Sequence, residues 1–369
     1  MCSLRNIGQM SLKGELKLIS LRELLNITIN QNASDLHLTV GVPPVIRVDG
    51  QLLYISNEKL NPDDTEAYAK EILDNDLYGD YMKIGEIDTS FSVSGVGRFR
   101  VNLFKQRGSA AIAIRAVGLK VPSLNELKVS TVIKDLTLSK RGLILVTGPT
   151  GSGKSTTLAA MINEINITRA AHIITLEDPI EYLHKHNKSI INQREIGRDT
   201  RSYANALRAV LREDPDVILI GEMRDLETIS IALTAAETGH LVFSTLHTIG
   251  AAKTIDRIID VFPPHQQQQV RIQLAGVMKG IISQQLIPKA DGSGRIAALE
   301  IMVATTAIKN MIREGKTYQI ESSMQTGSKY GMLTMDMALS NLYKKGMISY
   351  DSALNYAVDR EMLAKIISL

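Results

Sequence analysis

A glycine-rich segment at residues 148–155 constrains this fold more than any other part of the chain. It reads Gly148-Pro149-Thr150-Gly151-Ser152-Gly153-Lys154-Ser155. Its glycines let backbone N–H groups turn inward around an anion, which larger side chains would obstruct. A continuously apolar strand is predicted before it, at 142–147, and a helix after it, at 155–165. This order of strand, loop and helix predicts a site for the phosphates of a nucleotide.

The polar residues of the segment predict which cofactors it binds. Lys154 is expected to reach the terminal phosphates, and Ser155 to offer its hydroxyl to a magnesium ion. The N-terminal dipole of the following helix points at the same charge. The predicted cofactors are therefore ATP and Mg²⁺. The predicted binding residues here are Gly148, Pro149, Thr150, Gly151, Ser152, Gly153, Lys154, Ser155 and Thr156.

The sequence around this loop predicts a parallel α/β sheet. Apolar strands at 171–176, 217–220 and 240–245 alternate with helices at 200–212 and 226–237. Buried strands that alternate with helices indicate a parallel sheet covered on both faces. We assign this core to residues 141–294. Helical patterns at 307–314 and 332–345 then predict a helical C-terminal region at 295–369.

The first third of the chain predicts a separate, smaller α+β domain at 21–118. Two short strands flank Asp49-Gly50, a strong hairpin signal, and Asn61-Pro62 supplies a cap and an early proline for a helix. Alternating segments at 89–93, 97–106 and 110–117 follow. Residues 1–20 are interpreted as an N-terminal extension and 119–140 as a linker.

Composition excludes several kinds of protein. A net charge of +3 on 369 residues, no Trp and 4% aromatic residues give no indication of stable nucleic-acid binding. Cys2 is the only cysteine, so an internal disulfide and a multi-cysteine zinc site are both excluded, and a cytosolic setting is expected. No apolar run approaches the ~20 residues of a membrane helix, so any membrane role requires a partner.

Carboxylates follow two of the predicted strands. Glu222 comes just after the strand at 217–220, and ligands bind at the carboxyl ends of parallel strands. Glu222 is therefore the predicted catalytic base for water, with a solvated strand-end glutamate as the alternative. Glu177 begins a second acidic cluster that suits either a metal or a loop salt bridge. The predicted magnesium-site residues are Ser155, Glu177 and Glu222.

Four stretches in order resemble the secretion-motor superfamily of ATPases, and within it the type IV pilus retraction ATPases. They lie at 148–156, 175–182, 212–225 and 238–248, and look like the Walker A, aspartate, Walker B and histidine boxes. The similarity runs from about Ser34 to about Thr326. The resemblance implies a RecA-like core, a PAS-like N-terminal domain and a homohexamer. It also implies that Glu222 is the catalytic glutamate and that Glu177 and His240 line the nucleotide site.

The resemblance further implies that arginines of the N-terminal domain approach the nucleotide. Arg98, Arg100 and Arg107 match the relevant stretch. Arg98 and Arg100 are two apart on a predicted strand and share a face, which suits a charge-neutralising pair. The alternative is that they are solvated strand residues. His240 and His247 flank the strand at 240–245 and either sense the terminal phosphate or are structural.

The function implied is an ATP-hydrolysing hexameric motor for pilus retraction and twitching motility. Such a motor is cytoplasmic and docks on an inner-membrane platform protein at the pilus base. The family's C-terminal AIRNLI motif appears here with Lys309 in place of arginine. Lysine keeps the charge but loses the planar guanidinium, which puts any bidentate contact there in doubt.

Several alternatives remain open from the sequence. Pilus-assembly and type II secretion ATPases generally carry a cysteine-rich zinc insertion, which a chain with Cys2 alone lacks. A retraction-accessory paralogue and a conjugation-type secretion motor share the same boxes. A nucleic-acid translocase and a structural subunit without hydrolysis are the alternatives from other functional classes.

Overall fold

The structure is a computed structural model that describes residues 18–48, 50–117 and 121–368 of the 369-residue chain. The chain divides into two compact units, residues 1–119 and 120–369. Three parts of the prediction lie outside the described residues: most of the N-terminal extension, Asp49 of the hairpin turn, and residues 118–120, where the first domain was predicted to end and the linker to begin.

The first unit combines helices with one antiparallel sheet. Its elements are α1 (Leu21–Asn30), β1 (Asp35–Leu38), β2 (Val45–Val48), β3 (Gln51–Tyr54), α2 (Pro62–Ile72), α3 (Asn75–Ile84), β4 (Glu86–Val93), β5 (Gly97–Gln106) and β6 (Ser109–Ala116). The described strands form one six-stranded sheet in the order β3-β2-β1-β6-β5-β4. All pairs are antiparallel, and Val48 pairs with Gln51 across the predicted hairpin.

Local capping explains where the helices of this unit begin. The Ser20 side chain accepts a hydrogen bond from the backbone N–H of Glu23 at the start of α1. Asn61 and Asp64 form a reciprocal capping box at the start of α2, followed at once by Pro62. These contacts satisfy N–H groups that the helix itself leaves unpaired.

The second unit contains the remaining elements. They are α4 (Thr131–Thr137), β7 (Gly142–Thr147), α5 (Lys154–Thr168), β8 (His172–Glu177), β9 (Ile190–Glu195), α6 (Tyr203–Val210), β10 (Val217–Ile220), α7 (Leu226–Glu237), β11 (Leu241–Leu246), α8 (Ala251–Asp260), α9 (Pro264–Val277), β12 (Met278–Pro288), β13 (Arg295–Val303), α10 (Thr306–Arg313), α11 (Ile320–Gln325), α12 (Met335–Lys344), α13 (Tyr350–Tyr356) and α14 (Arg360–Ser368). Short 3₁₀ turns occur at Thr317–Gln319 and Ser328–Tyr330.

The described strands of this unit form one seven-stranded sheet in the order β13-β12-β7-β11-β10-β8-β9. Neighbouring strands are parallel except for β12 and β13. Successive residues of β7 alternate between two hydrophobic clusters: Leu143 and Leu145 belong to one, Ile144 and Val146 to the other. Both faces of the sheet are therefore covered, as the unbroken apolar strands predict.

The edge of the sheet corrects the predicted boundary at residue 294. Strand β13 starts at Arg295 and pairs with β12, so the prediction that 295–369 is helical is wrong for its first nine residues, 295–303. Neither strand has a simple apolar pattern. Ser283, Gln284 and Gln285 are buried in β12, and Glu300 is buried in β13, where it accepts the backbone N–H of Ala251. Buried polar residues with local partners hide a strand from hydrophobic periodicity.

The predicted linker also differs from the structure. Helix α4 lies within it and buries Ile133 and Leu136 in the same hydrophobic cluster as Ile144 of β7. This part of the segment therefore belongs to the core of the second unit. Within the residues that the structure describes, no helix is both long and apolar enough to span a membrane.

Candidate functional site

The phosphate loop lies between the fully buried strand β7 and helix α5. Gly148, Gly151 and Gly153 have φ angles of 137°, 76° and 87°, which glycine adopts without steric cost. A Cβ on Gly148 would lie 2.2 Å from the carbonyl oxygen of Gln284, and one on Gly153 would lie 2.8 Å from Gln284 Nε2. Two of the glycines are therefore also required by close packing against β12.

Lys154 places a buried positive charge beside this loop. Its side chain is at the first position of α5, and Nζ donates to the carbonyl oxygens of Gly148 at 2.9 Å and Pro149 at 3.0 Å. Burial lowers the pKa of Lys154, while the carboxylates of Glu222 and Glu181 act to raise it. An ammonium group in this position suits the terminal phosphates of a nucleotide.

The loop itself fits a phosphate-bearing ligand. Its two tightly packed glycines leave no room for side chains, so backbone N–H groups can line an anion. Ser152 Oγ is buried and has no hydrogen-bond partner among the residues described. An unpaired buried hydroxyl is costly unless a ligand or water satisfies it.

Gln284 of β12 fastens the loop from the neighbouring strand. Its Oε1 accepts from Thr157 Oγ1 at 2.7 Å, and its Nε2 donates to the carbonyl oxygen of Ser152 at 2.6 Å. The adjacent Ser283 Oγ accepts from the backbone N–H of Gly250 at 2.9 Å, just before α8. One strand thus holds both the phosphate loop and the start of α8.

Glu222 lies just beyond the carboxyl end of β10, held between two basic side chains. Its Oε2 is 2.8 Å from Arg224 Nη2, and its Oε1 is 3.2 Å from His247 Nε2. His247 Nδ1 in turn lies 3.4 Å from Thr150 Oγ1 in the phosphate loop. These contacts connect the predicted base to the loop through a single histidine.

The charges around Glu222 determine its protonation. Burial acts to raise the pKa of Glu222, but hydrogen bonds and positive charge from Arg224 and His247 outweigh burial and lower it. The carboxyl is therefore ionised at neutral pH. An ionised carboxylate is the form that accepts a proton from water.

Glu177 ends β8 in a more enclosed environment. Its Oε1 accepts from Thr175 Oγ1 at 2.6 Å and from Gln193 Nε2 at 3.0 Å. Burial raises the pKa of Glu177, and these hydrogen bonds reduce the rise. Close by, Tyr182 and Thr156 share a hydroxyl hydrogen bond of 2.8 Å, which ties the acidic loop to α5.

These groups line one cleft of about 580 Å³. The predicted site residues that line it are Thr150, Gly151, Gly153, Lys154, Ser155, Thr156, Glu177 and Glu222. Gly148, Pro149 and Ser152 belong to the same loop, and Pro149 and Gly148 carry the carbonyl groups that bind Lys154. The structure therefore brings the phosphate loop and both predicted acids together.

The donor set of the cleft fits a magnesium ion that is bound mainly by nucleotide and water. Ser155, Glu177 and Glu222 offer oxygen atoms, which Mg²⁺ prefers. Among the described residues, no group of three or more His, Cys, Asp and Glu side chains could hold a metal by itself. Magnesium bound through phosphates commonly uses only one or two protein ligands.

His240 lies at the opposite end of β11 from His247. Strands β11 and β7 are parallel, and the phosphate loop follows the carboxyl end of β7, whereas His240 precedes β11. Six strand residues correspond to roughly 20 Å. His240 Nδ1 lies 2.9 Å from the carbonyl oxygen of Ala235. The prediction that His240 lines the nucleotide cleft of its own chain is wrong, because the histidine box crosses the sheet and only His247 emerges beside the loop.

The three predicted arginines belong to the first unit. On β5, Phe99 and Val101 are buried, and Arg98 and Arg100 occupy the other face. The Arg98 guanidinium donates to two serine hydroxyls of β4 at 2.7 and 3.3 Å. Arg107 lies in the turn after β5 with a φ of 51°. Their approach to a nucleotide stays a prediction.

Lys309, which departs from the family motif, lies half-buried on α10. Burial lowers the pKa of Lys309, and the nearby charges of Lys279 and Arg313 lower it further. Lys309 therefore lies among positive charges that make its ammonium form less stable than in water.

Sequence reasoning missed three residues of the site. Arg224 and Tyr203 line the cleft, and Gln284 supports the loop. The Tyr203 hydroxyl would lie 2.6 Å from a Cβ on Gly221, so the glycine before Glu222 leaves space for it. The position of Arg224, two residues after Glu222, was a usable signal. Nothing local marked Gln284 or Tyr203.

Comparison with known proteins identifies the family. Residues 94–346, more than half of the chain, match the model described as type II/IV secretion system protein. The chain belongs to this family. It is 52% identical over 335 residues to the type IV pilus retraction ATPase PilT of Pseudomonas aeruginosa. The aligned residues cover 91% of this chain and 97% of that protein.

Two further relatives place the chain within the family. It is 40% identical to the type IV pilus ATPase PilU of Pseudomonas aeruginosa, over 94% of this chain and 91% of that protein. The solved structure of the pilus retraction motor PilT with bound ADP matches with a TM-score of 0.88 and 50% identity, and covers 94% of this chain and all of that one (100%). The predicted family and α/β fold class are confirmed, and the chain is an ATPase of the type II/IV secretion family.

Proposed function

We propose that this chain is the motor that powers retraction of type IV pili by hydrolysing ATP. One observation carries the proposal: the ionised Glu222 and the buried Lys154 line the same cleft as the phosphate loop. The similarity to PilT over most of both chains supports the choice of retraction among the activities of the family.

Binding depends mainly on the loop. Its backbone N–H groups and the start of α5 surround the phosphates, and Lys154 compensates their charge. Magnesium, held by the phosphates with Ser155, would neutralise further charge as hydrolysis proceeds. Gln284 keeps the loop in this conformation from β12.

Glu222 supplies the chemistry of water activation. As the oxygen of water bonds to the terminal phosphorus and the bond to the oxygen of ADP breaks, Glu222 accepts the proton of the water. Arg224 and His247 orient the carboxylate through its two oxygens. A positioned base of this kind contributes about 10²–10⁴ to the rate.

The proposed motor is a homohexamer in which Arg98, Arg100 and Arg107 approach a nucleotide. An arginine supplied from outside the phosphate loop is worth about 10³–10⁵ in rate. Its insertion can therefore couple hydrolysis to movement between subunits. The motor would dock on an inner-membrane platform protein at the cytoplasmic face of the pilus base.

Deletion of the gene tests this function. The expected result is cells that still assemble pili but fail to retract them, with retraction restored by the wild-type gene and not by one encoding Glu222→Gln. Loss of pili altogether would instead indicate an assembly motor.

The similarity to PilU supports one other candidate, a retraction-accessory ATPase. An accessory motor would leave retraction present but weaker after deletion. Retraction force, measured with optical tweezers on single pili of the deletion strain, separates the two functions.

A further inference from the structure

The segment that joins β11 to α8 is held by two side chains of the sheet. Strands β12 and β13 are antiparallel, and Ser283 lies directly opposite Glu300 in their register. Ser283 Oγ accepts the backbone N–H of Gly250 at 2.9 Å. Glu300 Oε1 accepts the next backbone N–H, that of Ala251, at 2.7 Å. One cross-strand pair, Ser283 and Glu300, therefore binds two successive N–H groups of the segment, and we call it the clamp pair.

Helix α8 has no side-chain cap of its own. Its N-cap residue is Gly250, with a φ of 92°. By contrast, Asp225 and Thr334 cap α7 and α12 with their own side chains. The N–H groups at the start of a helix have no partner within the helix. At α8 the sheet supplies these partners, so the start of the helix is fixed to β12 and β13.

The clamp pair lies in the protein interior. Ser283 is fully buried, and Glu300 is nearly so. Burial raises the pKa of Glu300, and the backbone N–H groups of Ala251 and of Met335, the first residue of α12, act to lower it. A buried carboxylate is costly unless hydrogen bonds compensate for lost water. Glu300 is therefore held in one place by the starts of two helices.

Further hydrogen bonds extend from the clamp pair toward the nucleotide cleft. Thr254 Oγ1 donates to the carbonyl oxygen of Gly250 at 2.8 Å and shares a hydrogen bond of 2.7 Å with Thr248 Oγ1. Thr248 directly follows His247 in the chain. The His247 side chain is 44% exposed, so packing alone restrains it little. Its position depends on the backbone that these hydrogen bonds fix.

We propose that Ser283 and Glu300 are positioning residues for the ATPase reaction. By binding two successive N–H groups after β11, they keep His247 between Glu222 and Thr150, at 3.2 and 3.4 Å. The inference rests on the proposed function and extends it to two residues that do not line the nucleotide cleft. Misplacement of a group at a reaction centre by about 1 Å can cost about 10²-fold in rate.

The first test substitutes Ser283 in the full-length protein. Ser283→Ala removes only the acceptor for the N–H of Gly250, so kcat should fall by about 10-fold as His247 loses its position. Affinity for ADP should stay near wild type, because Gln284 still holds the phosphate loop. A steady-state phosphate assay and calorimetric titration with ADP measure the two quantities. The midpoint of thermal unfolding is recorded for every variant.

Ser189→Ala is the matched control for stability. Ser189 is also fully buried, and its hydroxyl donates to the carbonyl oxygen of Arg169 at 2.7 Å, away from the segment after β11. Its loss should lower the midpoint of thermal unfolding and leave kcat at the wild-type value. A clamp pair that merely capped α8 would give the same result in Ser283→Ala.

His247→Asn separates positioning from stability. If the clamp pair acts through His247, Ser283→Ala should change kcat by less than about 2-fold when His247 is already replaced, because the contacts that it maintains are gone. The fall in the midpoint of thermal unfolding should persist in the double variant. Independent effects would instead multiply, and the full loss of kcat would recur.

Glu300→Leu examines the other member of the clamp pair. Leucine is close to glutamate in size but accepts no hydrogen bond, so kcat should again fall, with the same dependence on His247. Asp336→Leu is its control. Asp336 is a buried carboxylate that accepts the backbone N–H groups of Val358 and Asp359 at 2.8 and 2.9 Å. This control should be less stable and keep its kcat. If Glu300→Leu does not fold, the Ser283 variants decide.

Four results would overturn the positioning role. They are wild-type kcat in Ser283→Ala, an equal loss of kcat in Ser189→Ala, a loss that recurs in full without His247, and a parallel loss of ADP affinity, which would mean that the phosphate loop itself had moved. Absence of ATP hydrolysis in the wild type would instead refute the proposed ATPase function.

Discussion

The two sides of the nucleotide cleft are built on different principles. The phosphate-loop side is contiguous, from Gly148 to Ser155, and acts mainly through backbone groups and one lysine. The acidic side is assembled from the ends of β8, β10 and β11 and acts through side chains. The groups that bind phosphate are thus contiguous in sequence, whereas the reactive groups come from three strand ends that are separate in sequence. Substitutions on the two sides should therefore affect different measured quantities.

The largest expected effect is on the acidic side. Glu222→Gln keeps the size of the side chain but removes the base, so kcat should fall by about 10²–10⁴. Nucleotide affinity should stay near wild type, because the loop is unchanged. A steady-state phosphate assay and fluorescent-nucleotide titration measure the two quantities. Glu227→Gln, an exposed carboxylate of α7, serves as control, and full turnover in Glu222→Gln would show that another group is the base.

The corresponding change on the loop side should act on binding. Lys154→Ala removes charge-assisted contacts worth about 1.5–3 kcal/mol, so nucleotide affinity should fall by about 10- to 100-fold. Isothermal titration calorimetry with ADP and a slowly hydrolysed ATP analogue measures this. Lys253→Ala, at an exposed position outside the cleft, should bind as wild type. Unchanged nucleotide affinity in Lys154→Ala would contradict the assignment of nucleotide binding to the phosphate-loop side.

Substitution of Gln284 tests whether the phosphate loop depends on hydrogen bonds from β12. Gln284→Leu leaves the Thr157 hydroxyl and the Ser152 carbonyl oxygen buried without their partner, at about 1–3 kcal/mol for each. The midpoint of thermal unfolding should fall by several degrees, since 1 kcal/mol corresponds to about 2–4 °C for a unit of this size. Gln285→Leu, which loses one 3.4 Å hydrogen bond, should have a smaller effect. Equal midpoints for the two variants would contradict the support role.

Arg224 tests the electrostatics of the acidic side. Arg224 helps to hold the pKa of Glu222 below its ordinary value, and the base is active above that pKa. Arg224→Gln should raise the pKa, so activity should be lost at a higher pH on acidification. Profiles of kcat between about pH 4 and pH 8 measure the shift. Arg208→Gln, which affects an exposed ion pair with Glu227, should leave the acid limb in place. If the acid limb of the kcat profile did not shift in Arg224→Gln, Arg224 would not be lowering the pKa of Glu222.

The smallest effect is expected at His240. Because it lies at the far end of β11, His240→Asn should leave nucleotide affinity and the pH profile unchanged. His247→Asn should move the acid limb upward, since His247 also acts to lower the pKa of Glu222. The same titrations and profiles compare the two. Similar shifts of the acid limb in His240→Asn and His247→Asn would show that the end of β11 at which a histidine lies does not determine its effect on Glu222.

Sequence predicted best the parts of the fold that have one simple pattern. The bounds of β7, β10 and α7 were predicted to the residue, because each is an apolar run or a periodic helix with clear ends. Strand β12 was missed because Ser283, Gln284 and Gln285 are polar and yet buried. Their partners come from the phosphate loop, the start of α8 and α13, so no local signal reveals them.

The same distinction holds within the site. The glycines and Lys154 were found because they are contiguous, and Glu222 because it ends an apolar strand. The interactions that lower the pKa of Glu222 are not part of the sequence prediction: His247 comes from the end of another strand, and the nearness of Arg224 in sequence was a signal left unused. His240 was misplaced because a motif read as a string does not show that a strand carries its two ends to opposite edges of the sheet.

Strand β12 has a mechanical consequence. It is hydrogen bonded on both edges, to β7 and β13, and so resists sliding relative to its neighbours. Three consecutive side chains, Ser283 to Gln285, reach α8, the phosphate loop and the backbone of Tyr356 in α13. A displacement of the phosphate loop by a ligand would therefore be transmitted through β12 to α8 and α13. Strand β12 thus connects the nucleotide site to two helices outside it.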